Sequence, residues 1–214
     1  MNDVNWELIN KLNKDLRDGA SLLDKPEARY LVDLYYQVQD TRKRAASQSR
    51  MNAETGEPHQ LVTWLFDQFK VLEEDIRKSL GVYANGSKGG VWSQSVHGIG
   101  PVIAAGLLAH IDVNPWRCYS KKQGDRCSDG SPHKDLGCGY SPVHTAGGVW
   151  RFAGLDPTVK WGKSKKRPWN AKLKRLCWII GDSFVKQRAS SKDVYGKVYE
   201  ERKNLEIQRN ENGD

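Results

Sequence analysis

Residues 96–112 read VHGIGPVIAAGLLAHID, a glycine-containing turn followed by an apolar segment that begins with a proline. Pro101 suits the first position of a helix, because the N–H that proline lacks has no partner at that position. Ala104, Ala105 and Gly106 are small, so another backbone can approach this helix closely. The stretch therefore predicts a turn at residues 98–100, a helix from Pro101 and tight packing of that helix.

Helical periodicity extends to both sides of this stretch. Apolar residues recur at three- and four-residue steps over residues 59–80 and 169–187, and over the first part of a helix predicted at 27–50, as far as Val38. A polar, charged helix is expected over 193–209. Thr41–Arg50 has no apolar face, which predicts that this half-helix projects into solvent or meets a partner. A break is expected over residues 83–90, which are rich in Gly and Asn. Because no strand pattern is convincing, the predicted class is all-α.

The charge of the chain is concentrated in one segment. The 214 residues carry a formal net charge of +8, and residues 158–188 contain ten basic residues and one acidic residue, Asp182. The rest of the chain is therefore close to neutral. A focused positive segment on an otherwise neutral chain indicates a polyanionic partner.

The same composition predicts where the chain is found. No apolar run approaches the roughly 18 residues that a membrane-spanning helix needs, so no membrane contact is expected. The N-terminal residues MNDVN have neither the basic region nor the apolar region of a secretory signal. We therefore expect a cytoplasmic protein, in a bacterium or an infected host cell, with reduced cysteines.

The turn at residues 98–100 is typical of a helix–hairpin–helix motif. Two glycines let the backbone turn tightly and approach a phosphate. The N–H groups that open the next helix lie at the positive end of its dipole. Such a loop binds the nucleic-acid backbone without reading its sequence. The predicted contacts come from His97, Gly98, Ile99, Gly100 and Val102.

A basic segment with two tryptophans forms the second candidate interface. Basic side chains neutralise phosphates, while tryptophan rings either stack on unpaired bases or pack under lysine stems. DNA is the favoured ligand, RNA remains open, and the strandedness is not fixed by the pattern. The predicted contacts are Lys160, Trp161, Lys163, Ser164, Lys165, Lys166, Arg167, Trp169, Lys172 and Arg175.

Residues 96–112, together with VWRFAGLDP at 149–157 and the basic segment that follows, resemble the C-terminal domain of a bacterial insertion-sequence transposase family. Members of that family are RNA-guided recombinases with a DEDD RuvC-like N-terminal domain and a serine-bearing C-terminal domain. The resemblance covers about residues 57–188, and it extends to small phage and viral proteins that carry this domain alone. It implies a mobile-element or phage origin and a role near DNA recombination or transposition.

Two departures separate the chain from a complete transposase of that family. The DEDD half is absent, because residues 1–90 offer no strand-borne acidic cluster. The family serine follows the G-L-x-P turn by a few residues, where this chain has Trp161 and Gly162, and Ser164 lies out of register. A non-catalytic nucleic-acid-binding protein is therefore the leading hypothesis.

Two alternatives stay open. One is a recombination enzyme component in which Ser164, between two lysines, acts as an activated hydroxyl beside a separate partner domain. The other is an interaction protein that uses Thr41–Arg50 and the tail helix to hold a nucleoprotein complex, such as a host defence machine. The predicted organisation is a helical arm over 1–90, the helix–hairpin–helix domain over 91–188 with an irregular insertion at 117–144, and a polar tail over 189–214. The N-terminal helices would support a homodimer or a larger assembly.

The insertion contains a third constellation of residues. Thiolates and imidazoles are the ligands that Zn²⁺ prefers, and a glycine-rich segment with few apolar residues gains stability from a metal. Four of five residues would hold one structural zinc ion: Cys118, Cys127, His133, Cys138 and His144. No C-x-x-C pair is present, so free thiols in an insertion remain the alternative. Cys177 lies on an apolar helix face and is expected in the core.

Overall fold

The computed structural model describes residues 14–55, 60–111, 116–119, 139–142, 145–162 and 164–213. Helices dominate these ranges, which confirms the predicted all-α class. The helices are α1 (Lys14–Ala20), α2 (Lys25–Thr55), α3 (Gln60–Asn85), α4 (Lys88–Ser95), α5 (Pro101–His110), α6 (Ala146–Ala153), α7 (Ala171–Gln187) and α8 (Tyr195–Asn212). Two short strands, β1 (Trp116–Tyr119) and β2 (Gly139–Pro142), pair antiparallel, although no strand was expected from the sequence. No helix in the described ranges combines the length and apolar character that crossing a bilayer requires.

The main core lies where α5 packs against the helical hairpin of α2 and α3. Ala104 and Ala105 of α5 are completely buried, as the small residues of that helix predicted. Because their side chains are so short, α5 can lie close to both long helices. The buried cluster consists of Val32, Val38, Ile76, Leu80, Ala84, Val102, Ala104, Ala105 and Leu108.

The polar half of α2 meets a partner within the chain. Arg42 donates to the Glu73 carboxylate on α3, and Gln39 Nε2 donates to the same carboxylate over 3.0 Å. Ala45, Ala46 and Ser49 follow Arg42 at helical spacing and are half-buried, so they continue the stripe that faces α3. Small and polar residues therefore replace the missing apolar face of Thr41–Arg50.

The break between α3 and α4 is shorter than the glycine content predicted. Helix α3 continues to Asn85 and α4 begins at Lys88, which leaves only Gly86 and Ser87 between them. Ser87 caps α4, because its hydroxyl accepts a 3.0 Å hydrogen bond from the Gly90 N–H. A side-chain cap thus replaces the loop that the Gly and Asn residues of 83–90 indicated.

The chain divides into two compact units. One contains the described residues up to His110 together with the chain from Ile179 onward, and the other contains the described residues from Ile111 to Trp178. The first unit holds α1 to α5, the second half of α7 and α8. The second unit holds the strands, α6, the basic segment and the first half of α7. Most of the predicted insertion at 117–144 lies outside the described residues.

Candidate nucleic-acid interface

The turn between α4 and α5 is built by local backbone hydrogen bonds. The Ile99 N–H donates to Val96 over 3.0 Å, and the Ala104 N–H donates to the Gly100 carbonyl, also over 3.0 Å. The Gly100 carbonyl is therefore the first acceptor of α5, and Pro101 occupies the first helical position. The N–H groups of the first turn have no acceptor within the helix, as at every helix start.

The two glycines of this turn have different surroundings. Gly98 has φ +96°, a conformation that residues with a side chain rarely adopt. Its carbonyl accepts a 2.7 Å hydrogen bond from the Ser183 hydroxyl, and a Cβ at this position would lie 3.0 Å from Phe184 Cδ1. At Gly100, by contrast, a Cβ would have no heavy atom within 4 Å. Gly98 is thus required for packing against α7, and Gly100 is the glycine with open space beside it.

The other predicted contacts of the turn are mostly enclosed by protein. Val102 is buried in the core, and Ile99 packs against the same cluster, so each side chain has a structural role. His97 is half-buried and lines an open pocket with Lys192 and Tyr195. Its Nε2 atom is buried and has no hydrogen-bond partner in the described part of the chain. A phosphate at this turn would therefore meet backbone N–H groups rather than these side chains.

In the second unit, the C-terminal end of α6 supports the basic segment. Gly154 ends α6 with φ +69°, and its N–H and that of Leu155 donate to the last carbonyls of the helix. The indole of Trp169 lies on Gly154, because a Cβ there would be only 2.7 Å from Trp169 Cγ. The Asn170 side chain then caps α7 by accepting from the N–H groups of Lys172 and Leu173 at 3.0 and 3.1 Å.

Two cations of the basic segment and of the start of α7 lie against two tryptophan rings. The Trp161 and Trp169 rings meet edge to face, with centroids 6.1 Å apart. Arg167 lies over the Trp161 ring at 5.4 Å, and Lys174 lies over the Trp169 ring at 4.6 Å. The Trp161 indole N–H donates to the Lys165 carbonyl over 2.6 Å, which ties the ring to the basic loop. These rings therefore position cations without neutralising them.

Most of the predicted basic contacts are exposed in the second unit. The exposed residues are Lys160, Ser164, Lys165, Lys166, Arg167, Lys172 and Arg175, while Lys163 lies outside the described residues. The sequence prediction missed Lys174 and Trp178, which are also exposed. The helical spacing of α7 could have identified both residues, since Lys174 and Trp178 are separated by one turn and share a face.

The start of the basic segment is fixed by Asp156. Its carboxylate accepts from the Thr158 hydroxyl at 2.6 Å, from the Thr158 N–H at 2.9 Å and from Arg151 Nε at 3.3 Å. These hydrogen bonds hold the pKa of the Asp156 carboxyl below its usual value. The Thr158 hydroxyl has the largest effect, followed by the Thr158 N–H and then by Arg151. The Leu155–Pro157 turn is thus ordered by hydrogen bonds to a carboxylate.

Ser164 lies in a turn closed by a 3.0 Å hydrogen bond from the Lys165 N–H to the Gly162 carbonyl. Its side chain is exposed, and no hydrogen bond joins it to another residue in the described ranges. A serine nucleophile needs a base within hydrogen-bond reach. Among the described residues, none accepts a hydrogen bond from the Ser164 hydroxyl as such a base would.

The candidate zinc ligands fall mainly outside the described residues. Cys127, His133, Cys138 and His144 lie there, and Cys118 belongs to β1, of which only the backbone is described. The strand register pairs Tyr119, which follows Cys118, with Gly139, which follows Cys138. Within the described ranges, no three metal-ligating side chains come together. Zinc binding by the insertion therefore stays a prediction.

Cys177 lies on α7 between the buried Leu176 and the exposed Trp178, and it is half-buried. Burial raises the pKa of its thiol. A protonated thiol is a poor nucleophile and a poor metal ligand. The core position expected for Cys177 is met only in part, because the residue is half-buried.

Comparison with protein-family models gives no match, and neither curated proteins nor solved structures give one. The resemblance of residues 57–188 to the transposase C-terminal domain therefore remains an interpretation of the sequence.

Proposed function

We propose that this chain is a non-catalytic protein that binds the nucleic-acid backbone, with DNA as the favoured ligand. The observation that carries the proposal is the surface formed by Lys160, Lys165, Lys166, Arg167 and Lys174, which we call the basic surface. All five side chains are exposed, and two of them are held by tryptophan rings. Of the basic residues in 158–188, Lys186 pairs with Asp182 and Arg188 pairs with Glu200, and neither belongs to the basic surface. The positive charge of the basic surface would therefore be available to an anionic partner.

A second contact would come from α4, the turn and α5, which we interpret as a helix–hairpin–helix. Gly100 has open space beside it, and the first turn of α5 has N–H groups without an acceptor in the helix, at the positive end of the helix dipole. One phosphate is the natural ligand of such a turn. Neither contact reads a base edge, so binding would be largely independent of sequence.

Salt dependence tests the basic surface. In the double variant Lys165→Ala/Lys166→Ala, two phosphate contacts are removed, so the slope of log K against log salt should become shallower by about 1.4 to 1.8. The measurement is fluorescence anisotropy of labelled oligonucleotides, both duplex and single strands, at several salt concentrations. The double variant Lys197→Ala/Lys203→Ala is the matched control, because it removes two exposed lysines from α8. If both double variants change the slope equally, the basic surface is not the contact.

A further inference from the structure

The exposed rings of the second unit indicate which form of nucleic acid the basic surface takes, provided that the proposed function holds. We propose that Trp161 and Trp178 form a stacking platform for the bases of a single strand, while the half-buried Trp169 supports Lys174. This inference adds unpaired bases as the recognised group, whereas the proposed function concerns phosphates alone.

The first argument is the exposure of the rings. Trp161 is 41% exposed and Trp178 is 69% exposed. Large aromatic side chains usually gain stability by burial, whereas the described part of the second unit has three exposed indoles: these two and Trp150 on α6, which is 60% exposed. Every base has a π-face that can stack on an indole, which makes such a contact tolerant of sequence.

The second argument is the arrangement of rings and cations. The order is Trp161, Trp169, Lys174 and Trp178: the two rings meet at 6.1 Å, Lys174 lies over Trp169 at 4.6 Å, and Trp178 follows Lys174 by one helical turn. Single-strand-binding surfaces combine these two components, with rings for successive bases and cations for the backbone between them.

The third argument separates single strands from duplexes. In a duplex, the bases are stacked on one another and their faces are not available to a side chain, so exposed indoles would contribute little to binding. A surface made only for duplex phosphates needs cations alone. The rings at Trp161 and Trp178 are therefore explained by unpaired bases.

The experiment compares single-stranded and blunt duplex oligonucleotides of one sequence, in DNA and in RNA, with Trp161→Ala, Trp178→Ala and the double variant. Trp178→Ala should weaken single-strand binding by about 5- to 150-fold and leave duplex binding unchanged. Trp161→Ala should weaken single-strand binding by a similar factor and duplex binding less, because the Trp161 ring also holds Arg167 and the Lys165 backbone. Tyr199→Ala is the matched control and should leave single-strand binding unchanged, because Tyr199 lies on α8, which belongs to neither proposed contact, and is 42% exposed. Far-UV circular dichroism would check that each variant retains its helices. A preference for the DNA strand or the RNA strand identifies which of the two is the ligand.

Two results would overturn the stacking platform and can be told apart. Salt-dependent binding that is equal for single strands and duplexes, and unchanged in the tryptophan variants, would refute the platform and leave the proposed function standing. Absence of binding to all four oligonucleotides would refute both, and the exposed rings would then belong to a protein interface.

Discussion

Replacing Gly98 by alanine tests whether the turn between α4 and α5 serves packing or ligand binding at this position. Alanine at φ +96° is strained, and its Cβ would lie 3.0 Å from Phe184 Cδ1. The Phe184 ring has little freedom to move away, because Tyr195 stacks against it at a centroid distance of 4.7 Å. The substitution should therefore lower the stability of the fold.

The magnitude follows from these two contacts. A side chain at positive φ costs about 1–3 kcal/mol, and a tight contact with a restrained ring adds to it, so we expect a loss of roughly 2–3 kcal/mol. For a chain of this size, each kcal/mol lowers the melting temperature by about 2–4 °C. The expected decrease is therefore roughly 4–12 °C.

The matched control is Gly100→Ala, at the other glycine of the same turn. Its φ is not positive and a Cβ there meets no heavy atom within 4 Å, so the free energy of unfolding should change by less than about 1 kcal/mol. The added methyl group would, however, fill the space that a phosphate needs. Thermal unfolding by circular dichroism measures stability, and oligonucleotide anisotropy measures binding. Wild-type stability in Gly98→Ala would refute the packing argument, and wild-type binding in Gly100→Ala would exclude the turn as a contact.

Two further predictions concern the hairpin and the insertion. Burial raises the pKa of Glu73, but the hydrogen bonds from Arg42 and Gln39 lower it by more, so the net pKa is lowered. The Arg42–Glu73 pair therefore stabilises the fold above about pH 4.3, and this stabilisation is lost as the pH falls through the lowered pKa. Glu73→Gln should destabilise the fold at pH 7 by about 1–3 kcal/mol, and this loss should shrink as the pH falls through the lowered pKa of Glu73. The control Glu74→Gln alters a more exposed pair and should have little effect over the same pH range; equal pH profiles would contradict this. If the insertion holds zinc, elemental analysis should find about one zinc per chain. Cys118→Ser should reduce that zinc content, whereas the control Cys177→Ser should not. A zinc content near zero in protein prepared without chelator would refute the site.

The helices were predictable because their information is local. The apolar steps of α3 and the small residues of α5 give both the helix and the face that it buries. The role of Gly98 was not predictable, because its partner Ser183 is 85 residues away in sequence. The same holds for α2, where Glu73 of α3 supplies the partner that the polar half-helix lacked.

The candidate basic surface was predictable as a charge pattern but not as a geometry. A run of lysines and two tryptophans is visible in the sequence, but the position of Trp169 depends on Gly154, which ends α6 and leaves room for the indole. Lys174 was missed because its contact with Trp169 requires the direction of α7, which the Asn170 cap sets. Cap geometry therefore determines which cations lie against which rings.

Rings rather than carboxylates restrain two cations of the basic surface, Arg167 and Lys174, whereas Lys186 and Arg188 at the end of the segment pair with carboxylates. Like charges repel, and a fold can offset this repulsion by pairing each cation with an acid. An acid neutralises the cation, however, and leaves no net charge for a phosphate. A ring attracts the cation by about 0.5–2 kcal/mol and leaves its formal charge unchanged. Arg167 on Trp161 and Lys174 on Trp169 follow the second route, so these cations are restrained and still able to attract an anionic backbone.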